Sequence, residues 1–202
     1  MMKDFWNERF GGPDYFYGTT PNAFLASQSH LLRPGLSALA VADGEGRNGV
    51  WLAEQGLDVL AVDFSEKALQ KSRKLAEARG VALQTEFADL HHWNWGEKRF
   101  DVIAAIFIQF ASSAERSALH AAMQLALKPG GLLLLQGYTP KQLEYRTGGP
   151  SNIDNLYTAA DLRRDFGALE ILHLLEHDDE IREGPGHSGM SALVDLVARK
   201  AA

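Results

Sequence analysis

The sequence contains no cysteine among its 202 residues. This absence excludes disulfide bonds, thiolate metal sites and cysteine nucleophiles. The sequence also lacks any apolar run near the roughly 20 residues that a membrane-spanning helix requires. Its opening residues, 1–9, are too polar for a signal peptide. We therefore expect a cytoplasmic protein without a membrane partner.

A basic surface is lacking as well, because the formal net charge is −6. Broad nucleic-acid binding depends on basic side chains near phosphates, so no nucleic-acid partner is expected. A small anionic substrate stays possible in principle, since the potential inside a pocket can differ from the net charge. The length and the 46% of hydrophobic residues fit one globular domain with a sizeable core.

A glycine-rich stretch after the first apolar run organises the chain. Gly44, Gly46 and Gly49 follow a run of strand length with the spacing of a dinucleotide-binding turn. A helical pattern begins at once, and a second apolar run ends on Asp63. Glycines let a ligand approach the backbone, a helix start offers free N–H groups, and Asp63 can accept hydrogen bonds from ribose hydroxyls. The stretch is therefore predicted to bind a nucleotide-like cofactor.

Two acids beside Gly44 bear on the identity of that cofactor. Asp43 and Glu45 flank the glycine where a pyrophosphate would have to lie, and like charges repel there. The same carboxylates suit a cationic ligand, directly or through water. S-adenosylmethionine carries a ribose, a sulfonium and an ammonium group but no phosphate. The charges therefore favour this cofactor over NAD.

The periodicity along the chain predicts an α/β fold. Strands are predicted over residues 36–42, 57–63, 81–87, 100–107, 132–136, 169–176 and 191–197. Helices are predicted over residues 47–55, 66–78, 112–127 and 158–167. The last two strands have no helix between them, so they must be antiparallel neighbours. We expect a Rossmann-like, seven-stranded, mostly parallel sheet with helices on both faces and a C-terminal antiparallel hairpin.

The whole chain, 1–202, is interpreted as a single domain with four parts. These are an N-terminal helical flap (1–32), a cofactor-binding core (33–137), a substrate lid (138–157) and a C-terminal helix with the hairpin (158–202). The lid shows no periodicity, and it follows the fifth strand. A loop of this length that emerges on the ligand side of a parallel sheet is usually functional.

Further candidate site residues follow from their places in this fold. Asp89 comes just after the third strand and is predicted to recognise adenine, with a simple loop cap as the alternative. Residues 106–109, which begin with Ile106 at the end of the fourth strand, should border the cofactor. Tyr17 and Asn22, in the irregular part of the flap, either help to close the pocket or pack on the body. His187 lies among glycines, where a substrate can reach it, and titrates near neutral pH.

Short motifs occur along the chain in a fixed order: Gly44-Glu-Gly-Arg-Asn48, Ala61-Val-Asp63-Phe-Ser65, Phe87-Ala-Asp89, Phe100-Asp101 and Leu127-Lys-Pro-Gly-Gly131. They are preceded by Trp6-Asn-Glu-Arg-Phe10, Tyr17-Gly18 and Pro21-Asn22. In this order they resemble the class I S-adenosylmethionine-dependent methyltransferases. More narrowly, the chain is similar to the bacterial tellurite-resistance and thiopurine methyltransferase group. The resemblance covers nearly the whole chain.

The resemblance implies a role for each motif. Gly44 and Gly46 would lie against the methionine part of the cofactor, and Asp63 would hold the ribose hydroxyls. The adenine would meet Phe64, Asp89 and Leu90, and the motifs also include Asn48, Ser65 and Ala88 as cofactor contacts. Where the family often has an acid and then a glycine, the first strand has Ala40 and Ala42. Asp43 or Glu45 is therefore expected to hold the ammonium group.

The expected reaction is transfer of the methyl group to a small-molecule acceptor, such as a thiol or a chalcogen oxyanion, with S-adenosylhomocysteine as product. His187 is the first candidate for a general base and Tyr138 the second, while Arg146 could hold an anionic substrate. Simple packing of the lid is the alternative for all three. His173 and His177 are four residues apart, but no further ligand converges on them, so no metal site is predicted.

Two other functions remain open at this point. The same glycine pattern occurs in NAD-dependent oxidoreductases, and the fold could also serve a non-catalytic cofactor-binding protein. The sequence leaves the oligomeric state undetermined.

Overall fold

The computed structural model describes residues 2–202 and contains one seven-stranded sheet. Met1, the first residue of the predicted flap, lies outside the described residues. The strands are β1 (Ser37–Val41), β2 (Asp58–Asp63), β3 (Gln84–Phe87), β4 (Phe100–Ile106), β5 (Leu127–Tyr138), β6 (Glu170–Arg182) and β7 (Ser188–Arg199). Their order is β3-β2-β1-β4-β5-β7-β6, and β7 runs antiparallel to both β5 and β6. The predicted fold class is confirmed.

The helices begin and end close to the predicted positions. They are α1 (Met2–Arg9), α2 (Ala23–Ser27), α3 (Arg47–Glu54), α4 (Glu66–Arg79), α5 (Ser113–Ala126), α6 (Gln142–Tyr145) and α7 (Ala159–Asp165). Capping boxes form at the starts of α5 and α7, where the sequence predicted helices to begin. Within residues 2–202, no helix has both the length and the apolar character needed to cross a bilayer.

Buried strands at the centre of the sheet carry apolar residues on both faces, as parallel strands covered by helices should. The layer on one face contains Leu39, Ile103 and Leu133 from the strands, Leu119 from α5 and Leu162 from α7. The layer on the other face contains Ala38, Val102 and Leu134 from the strands, Leu25 from α2 and Leu52 from α3. The carboxyl ends of β1 to β5 are thereby held at one edge of a rigid core.

Two strands differ from their predicted bounds. β3 begins at residue 84 rather than 81, because the N–H of Val81 closes the end of α4 by donating to the Ala76 carbonyl at 3.1 Å. β5 already begins at Leu127, where a turn was predicted. Its register against β4 jumps from the Phe100–Leu127 pair to the Val102–Leu132 pair, so residues 128–131 form a bulge.

The lid and the hairpin are more ordered than the sequence suggested. Helix α6 and a 3-10 turn at Ile153–Asn155 lie within residues 138–157. Gln142 is buried in this segment and accepts a hydrogen bond from the Ala192 N–H at 2.8 Å, which fixes the segment to β7. The hairpin strands pair through residue 182, so the turn comprises only residues 183–187, whereas the predicted strands left residues 177–190 between them.

Candidate functional site

A cavity of about 960 Å³ lies at the carboxyl ends of the parallel strands. Its walls come from the strand ends, the flap, the lid and the hairpin turn. The predicted site residues that line it are Tyr17, Asp43, Gly44, Asn48, Asp63, Phe64, Ala88, Asp89, Leu90, Ile106, Tyr138, Arg146 and His187. The predicted residues that do not line it are Asn22, Glu45, Gly46 and Ser65. The cavity therefore lies at the edge of the sheet where the sequence predicted a ligand, and four of the predicted residues lie outside its lining.

Two carboxylates accept hydrogen bonds from backbone N–H groups of the glycine turn. The Gly44 N–H donates to Asp63 Oδ2 at 2.8 Å, and the Gly49 N–H donates to both oxygens of Asp43 at 3.1 Å. These are backbone donors of the kind that a pyrophosphate takes up in a dinucleotide-binding turn. Both acids also line the cavity. This turn consequently presents negative rather than positive character to a ligand.

Burial shifts the protonation of both acids. It raises the pKa of Asp43 to about 7, although the Gly49 amide opposes the shift. It raises the pKa of Asp63 to about 6, against the amides of Ser65 and Gly44. A cation in the cavity would favour the ionised carboxylates, which burial alone disfavours.

Glu45 does not face the cavity, which corrects the expectation that it meets a cationic ligand. Its Oε1 lies 2.6 Å from Lys71 Nζ on α4, and its Oε2 accepts the Phe16 N–H at 2.7 Å. The side chain is 2% exposed. Glu45 therefore fastens the flap to α4, and its charge is already paired.

Gly46 and Ser65 also support the site from behind. Gly46 precedes α3 with a φ of +93°, and a Cβ there would lie 2.8 Å from the Ser72 Cα. The Ser65 hydroxyl donates to Asn7 Oδ1 at 2.7 Å and accepts the Ala68 N–H, so it caps α4 and holds α1. Both residues shape the backbone near the cavity without lining it.

Asn22 belongs to a buried network of hydrogen bonds rather than to the cavity wall. Its Nδ2 donates to Gln136 Oε1 at 2.7 Å and to Glu183 Oε1 at 2.9 Å. Gln136 Nε2 in turn donates to Asp195 Oδ1 at 2.7 Å, and Asp195 Oδ2 lies 2.9 Å from His177 Nε2. The network joins the flap, β5, β7 and the hairpin turn. His177 thus has a carboxylate partner, and no metal-binding group of side chains occurs among residues 2–202.

Arg47, at the start of α3, is a lining residue that the sequence analysis missed. Its Nη2 lies 2.7 Å from Glu183 Oε2, and only 6% of the residue is exposed. Its Nη1 has no hydrogen-bond partner in the described part of the chain. Burial alone would raise the pKa of Glu183. The contacts with His187 and Arg47 outweigh this effect and lower the pKa of Glu183 to about 2. A charged side chain directly after a glycine turn was the available signal.

Aromatic rings form one wall of the cavity. The His187 ring lies 4.4 Å from that of Tyr17 and 4.5 Å from that of Phe107, which belongs to the stretch 106–109. Phe107 also stacks on Tyr138 at 4.6 Å. Burial lowers the pKa of His187, although Glu183 opposes this, and burial raises the pKa of Tyr138. Both side chains are consequently neutral near pH 7.

The hairpin turn packs directly against the flap. Gly184 has a φ of +75°, and a Cβ there would lie 2.6 Å from the Phe16 carbonyl oxygen and 2.7 Å from the Tyr17 carbonyl carbon. A Cβ at Gly186 would likewise collide with the rings of Phe16 and Tyr17. The glycines therefore allow the turn to bring His187 to the cavity.

The far side of the cavity carries the residues expected near adenine. Phe64 and Phe87 have ring centroids 5.3 Å apart. Asp89 Oδ2 lies 2.9 Å from His92 Nδ1, and this contact lowers the pKa of Asp89. Asp89 therefore remains ionised at the rim. Arg146 lies exposed on the lid with a φ of +56°, on the opposite side of the strand order.

Comparison with known proteins gives a family for the central part of the chain. Residues 38–131 match the family described as methyltransferase domain. An uncharacterized methyltransferase of Bacillus subtilis, YbaJ, is 34% identical over 107 residues, which are 50% of this chain and 39% of that relative. The chain thus spans well under half the length of this curated relative.

Solved structures extend the similarity to the entire fold. TehB from Haemophilus influenzae superposes with a TM-score of 0.73 at 18% identity, covering 98% of this chain and 66% of that chain. Magnesium protoporphyrin IX methyltransferase from Synechocystis, solved with bound S-adenosylhomocysteine, superposes with a TM-score of 0.71 at 18% identity, covering 99% and 98%. The resemblance predicted from the motifs is confirmed. Residues 38–131 match a methyltransferase domain family, and the chain has the fold of the class I S-adenosylmethionine-dependent methyltransferases.

Proposed function

We propose that this chain transfers a methyl group from S-adenosylmethionine to a small-molecule acceptor. The observation that carries the proposal is the pairing of the glycine-turn amides with Asp43 and Asp63. Such a turn repels a pyrophosphate and suits a ribose with a cationic sulfur. An NAD-dependent oxidoreductase is not favoured. The similarity to methyltransferases, one of which was solved with bound S-adenosylhomocysteine, also supports this cofactor.

The lining residues suggest a division of the cavity. Asp63 would accept hydrogen bonds from the ribose hydroxyls, and Asp43 would lie near the positive charges of the methionine part. Phe64, Leu90 and the rim residue Asp89 would surround the adenine. Glu45 is already paired with Lys71, so Asp43 is the remaining acid for the ammonium group.

The bound cofactor supplies an electrophilic methyl carbon, and the reaction joins this carbon to the acceptor while the electron pair of the broken bond stays on sulfur. The residues of the chain hold the acceptor in line and exclude water. His187 is neutral and buried, so its ring can take a proton from an acceptor that must lose one. A thiolate or a chalcogen oxyanion would need no base, and both remain proposed acceptors.

Calorimetric titration with S-adenosylhomocysteine and, separately, with NAD tests the cofactor assignment. We expect S-adenosylhomocysteine to bind with a dissociation constant in the micromolar range, typical of small cofactors (about 1–100 μM), and NAD to give no heat of binding. Binding of NAD without S-adenosylhomocysteine would overturn the proposal. Binding of S-adenosylmethionine without methylation of any thiol, selenite or tellurite would instead favour the non-catalytic protein.

The affinity for S-adenosylmethionine should rise with pH. Because burial raises the pKa of Asp43 to about 7 and that of Asp63 to about 6, both acids bind protons in the free protein near neutrality. A cationic ligand binds best to the ionised acids, so binding releases protons. We expect the association constant to increase at least about tenfold from pH 5 to pH 8, measured by calorimetry. Asp43→Asn should flatten the profile, and an affinity that falls with rising pH would contradict the assignment.

A further inference from the structure

Three buried polar atoms that line the cavity have no hydrogen-bond partner anywhere in residues 2–202. They are Arg47 Nη1, the Tyr138 hydroxyl and His187 Nδ1. Each residue is more than nine-tenths buried, with exposures of 6%, 1% and 7%. Buried polar groups are nearly always paired, and an unpaired one costs free energy. Three such groups in one cavity indicate that a bound ligand supplies their missing hydrogen-bond partners.

The three side chains lie close together although they come from α3, β5 and the hairpin turn. Glu183 Oε2 is 2.7 Å from Arg47 Nη2 and 3.8 Å from His187 Nδ1, which makes Arg47 and His187 neighbours. The point where a Cβ of Gly148 would lie is 3.2 Å from the Tyr138 hydroxyl and 3.7 Å from His187 Cδ2. Arg47, His187 and Tyr138 therefore belong to one part of the cavity, where Gly148 of the lid packs close to the Tyr138 hydroxyl and the His187 ring.

Arg47 is held in place by the buried network rather than by the ligand. Glu183 Oε1 accepts from Asn22 Nδ2 at 2.9 Å and from the Ala23 N–H at 3.2 Å, which leaves its Oε2 for Arg47. One edge of the guanidinium is consequently fixed, and Nη1 is directed elsewhere. A donor positioned in advance in a dry pocket binds an oxyanion more strongly than a mobile surface charge does.

The charged side chains that line the cavity also lie on different elements according to their sign. The acids Asp43 and Asp63 follow β1 and β2, whereas Arg9, Arg47 and Arg146 lie on the flap, α3 and the lid. The pair of Arg47 with Glu183 is neutral as a whole, and the other two arginines leave this side with a positive balance. An oxyanion is the group that accepts most strongly from an arginine and a phenol.

We propose that the acceptor carries an anionic oxygen group beside its nucleophile, and that Arg47 Nη1 and the Tyr138 hydroxyl donate to it while His187 contacts the reacting atom. This inference rests on the proposed function and names its substrate class. The oxyanion belongs either to an organic acid lying on the aromatic wall of Tyr17 and Phe107 or to an inorganic chalcogen oxyanion. No step of the methyl transfer is altered by this assignment.

The test compares the affinities of an acid and of its uncharged amide for the protein saturated with S-adenosylhomocysteine. The probes are 2-mercaptobenzoate and 2-mercaptobenzamide, and selenite is titrated separately as the inorganic source. In the unmodified protein the acid should bind about tenfold or more tightly than the amide, as expected for charge-assisted hydrogen bonds in a buried site. Tight binding of selenite with weak binding of both thiols would support the oxyanion site and assign it to an inorganic acceptor.

Two variants locate the site, and a third serves as the control. Tyr138→Phe removes only the unpaired hydroxyl, so the variant should fold normally. We expect it to reduce the ratio of the affinity for the acid to the affinity for the amide several-fold. Arg47→Lys can keep the contact with Glu183 but loses Nη1, and it should reduce the ratio to near one. Arg79→Gln removes an exposed arginine on α4 that does not line the cavity, and it should change the ratio less than about threefold. Equal binding of acid and amide by the unmodified protein, together with no binding of selenite, would overturn the proposal.

The failure of this inference can be distinguished from failure of the proposed function. Absence of S-adenosylhomocysteine binding by the unmodified protein would refute the proposed methyltransferase function itself. If Arg47→Lys weakens S-adenosylhomocysteine but not 5′-methylthioadenosine, which lacks the carboxylate, then Arg47 binds the cofactor and the acceptor assignment is wrong. If both nucleosides bind the variant normally and only the acid is lost, the oxyanion site is supported.

Discussion

Gly46→Ala should be among the most damaging single substitutions in the chain. Gly46 has a φ of +93°, and its Cβ would lie 2.8 Å from both Cα and Cβ of Ser72 on α4. The left-handed backbone costs alanine about 1–2 kcal/mol, and overpacking against a backbone atom adds about 1–3 kcal/mol. We expect the free energy of unfolding to fall by about 3 kcal/mol, measured by urea denaturation. Cofactor binding should fall as well, because α3 and its glycine turn must move.

Gly80→Ala is the matched control for this prediction. Gly80 also has a positive φ, +68°, but no atom lies within 4 Å of the position its Cβ would take. The free energy of unfolding of Gly80→Ala should therefore fall only by the backbone contribution, about 1 kcal/mol. Trimming the neighbour in Gly46→Ala/Ser72→Gly should recover part of the loss, since the Ser72 Cβ is removed but its Cα remains. Equal losses at Gly46 and Gly80 would show that the contact with α4 is unimportant.

Asp63→Asn should weaken S-adenosylhomocysteine binding about 100-fold. Two hydrogen bonds from ribose hydroxyls to a buried carboxylate contribute about 1.5 kcal/mol or more each, which corresponds to this loss. Asparagine is a better variant than alanine because Asp63 accepts the N–H groups of Gly44 and Ser65 on separate oxygens at 2.8 Å, and the asparagine oxygen can keep one of these two hydrogen bonds. Asp63→Ala would leave both buried amides unpaired and should lower stability in addition. Calorimetry gives the affinity, and thermal denaturation separates it from folding.

A ligand without the ribose hydroxyls makes this test specific. The 2′,3′-dideoxy analogue of S-adenosylhomocysteine should bind Asp63→Asn and the unmodified protein with similar affinity. Asp101→Asn serves as the control for removing an acid elsewhere, since Asp101 pairs with Lys128 at the amino end of β4. It should leave S-adenosylhomocysteine affinity unchanged. An unchanged affinity in Asp63→Asn would reject the ribose assignment.

The fold was largely predictable because its signals are local. Alternating apolar runs, the Ser112 and Thr158 capping boxes and Gly80 at the end of α4 each report on a few neighbouring residues. The errors fall where a distant partner decides the outcome. β5 extends back to Leu127 because β4 offers Phe100 as a partner, and no pattern within 127–131 reveals this. The lid is ordered because Gln142 bonds to β7, fifty positions away.

The candidate site was predictable in position but not in the direction of its side chains. The strand ends located Asp43, Asp63 and Asp89, and all three line the cavity. Glu45 lies in the same turn, yet its carboxylate points to Lys71, a choice that depends on how α4 packs. Arg47 was missed for the converse reason. A charged residue on a buried helix face has meaning only once its partner, Glu183, is known to lie opposite.

The packing of the hairpin turn on the flap has a consequence for how the acceptor pocket can change. Gly184 and Gly186 touch Phe16 and Tyr17 so closely that neither position has room for a side chain. Gly184 meets flap backbone atoms, so no flap substitution makes room for a side chain there. Gly186 meets the rings of Phe16 and Tyr17, so a side chain at this position requires smaller side chains in the flap. Laboratory evolution toward a new acceptor should therefore randomise residues 16, 17 and 186 in one library, because sampling residue 186 alone would mostly recover the parental glycine.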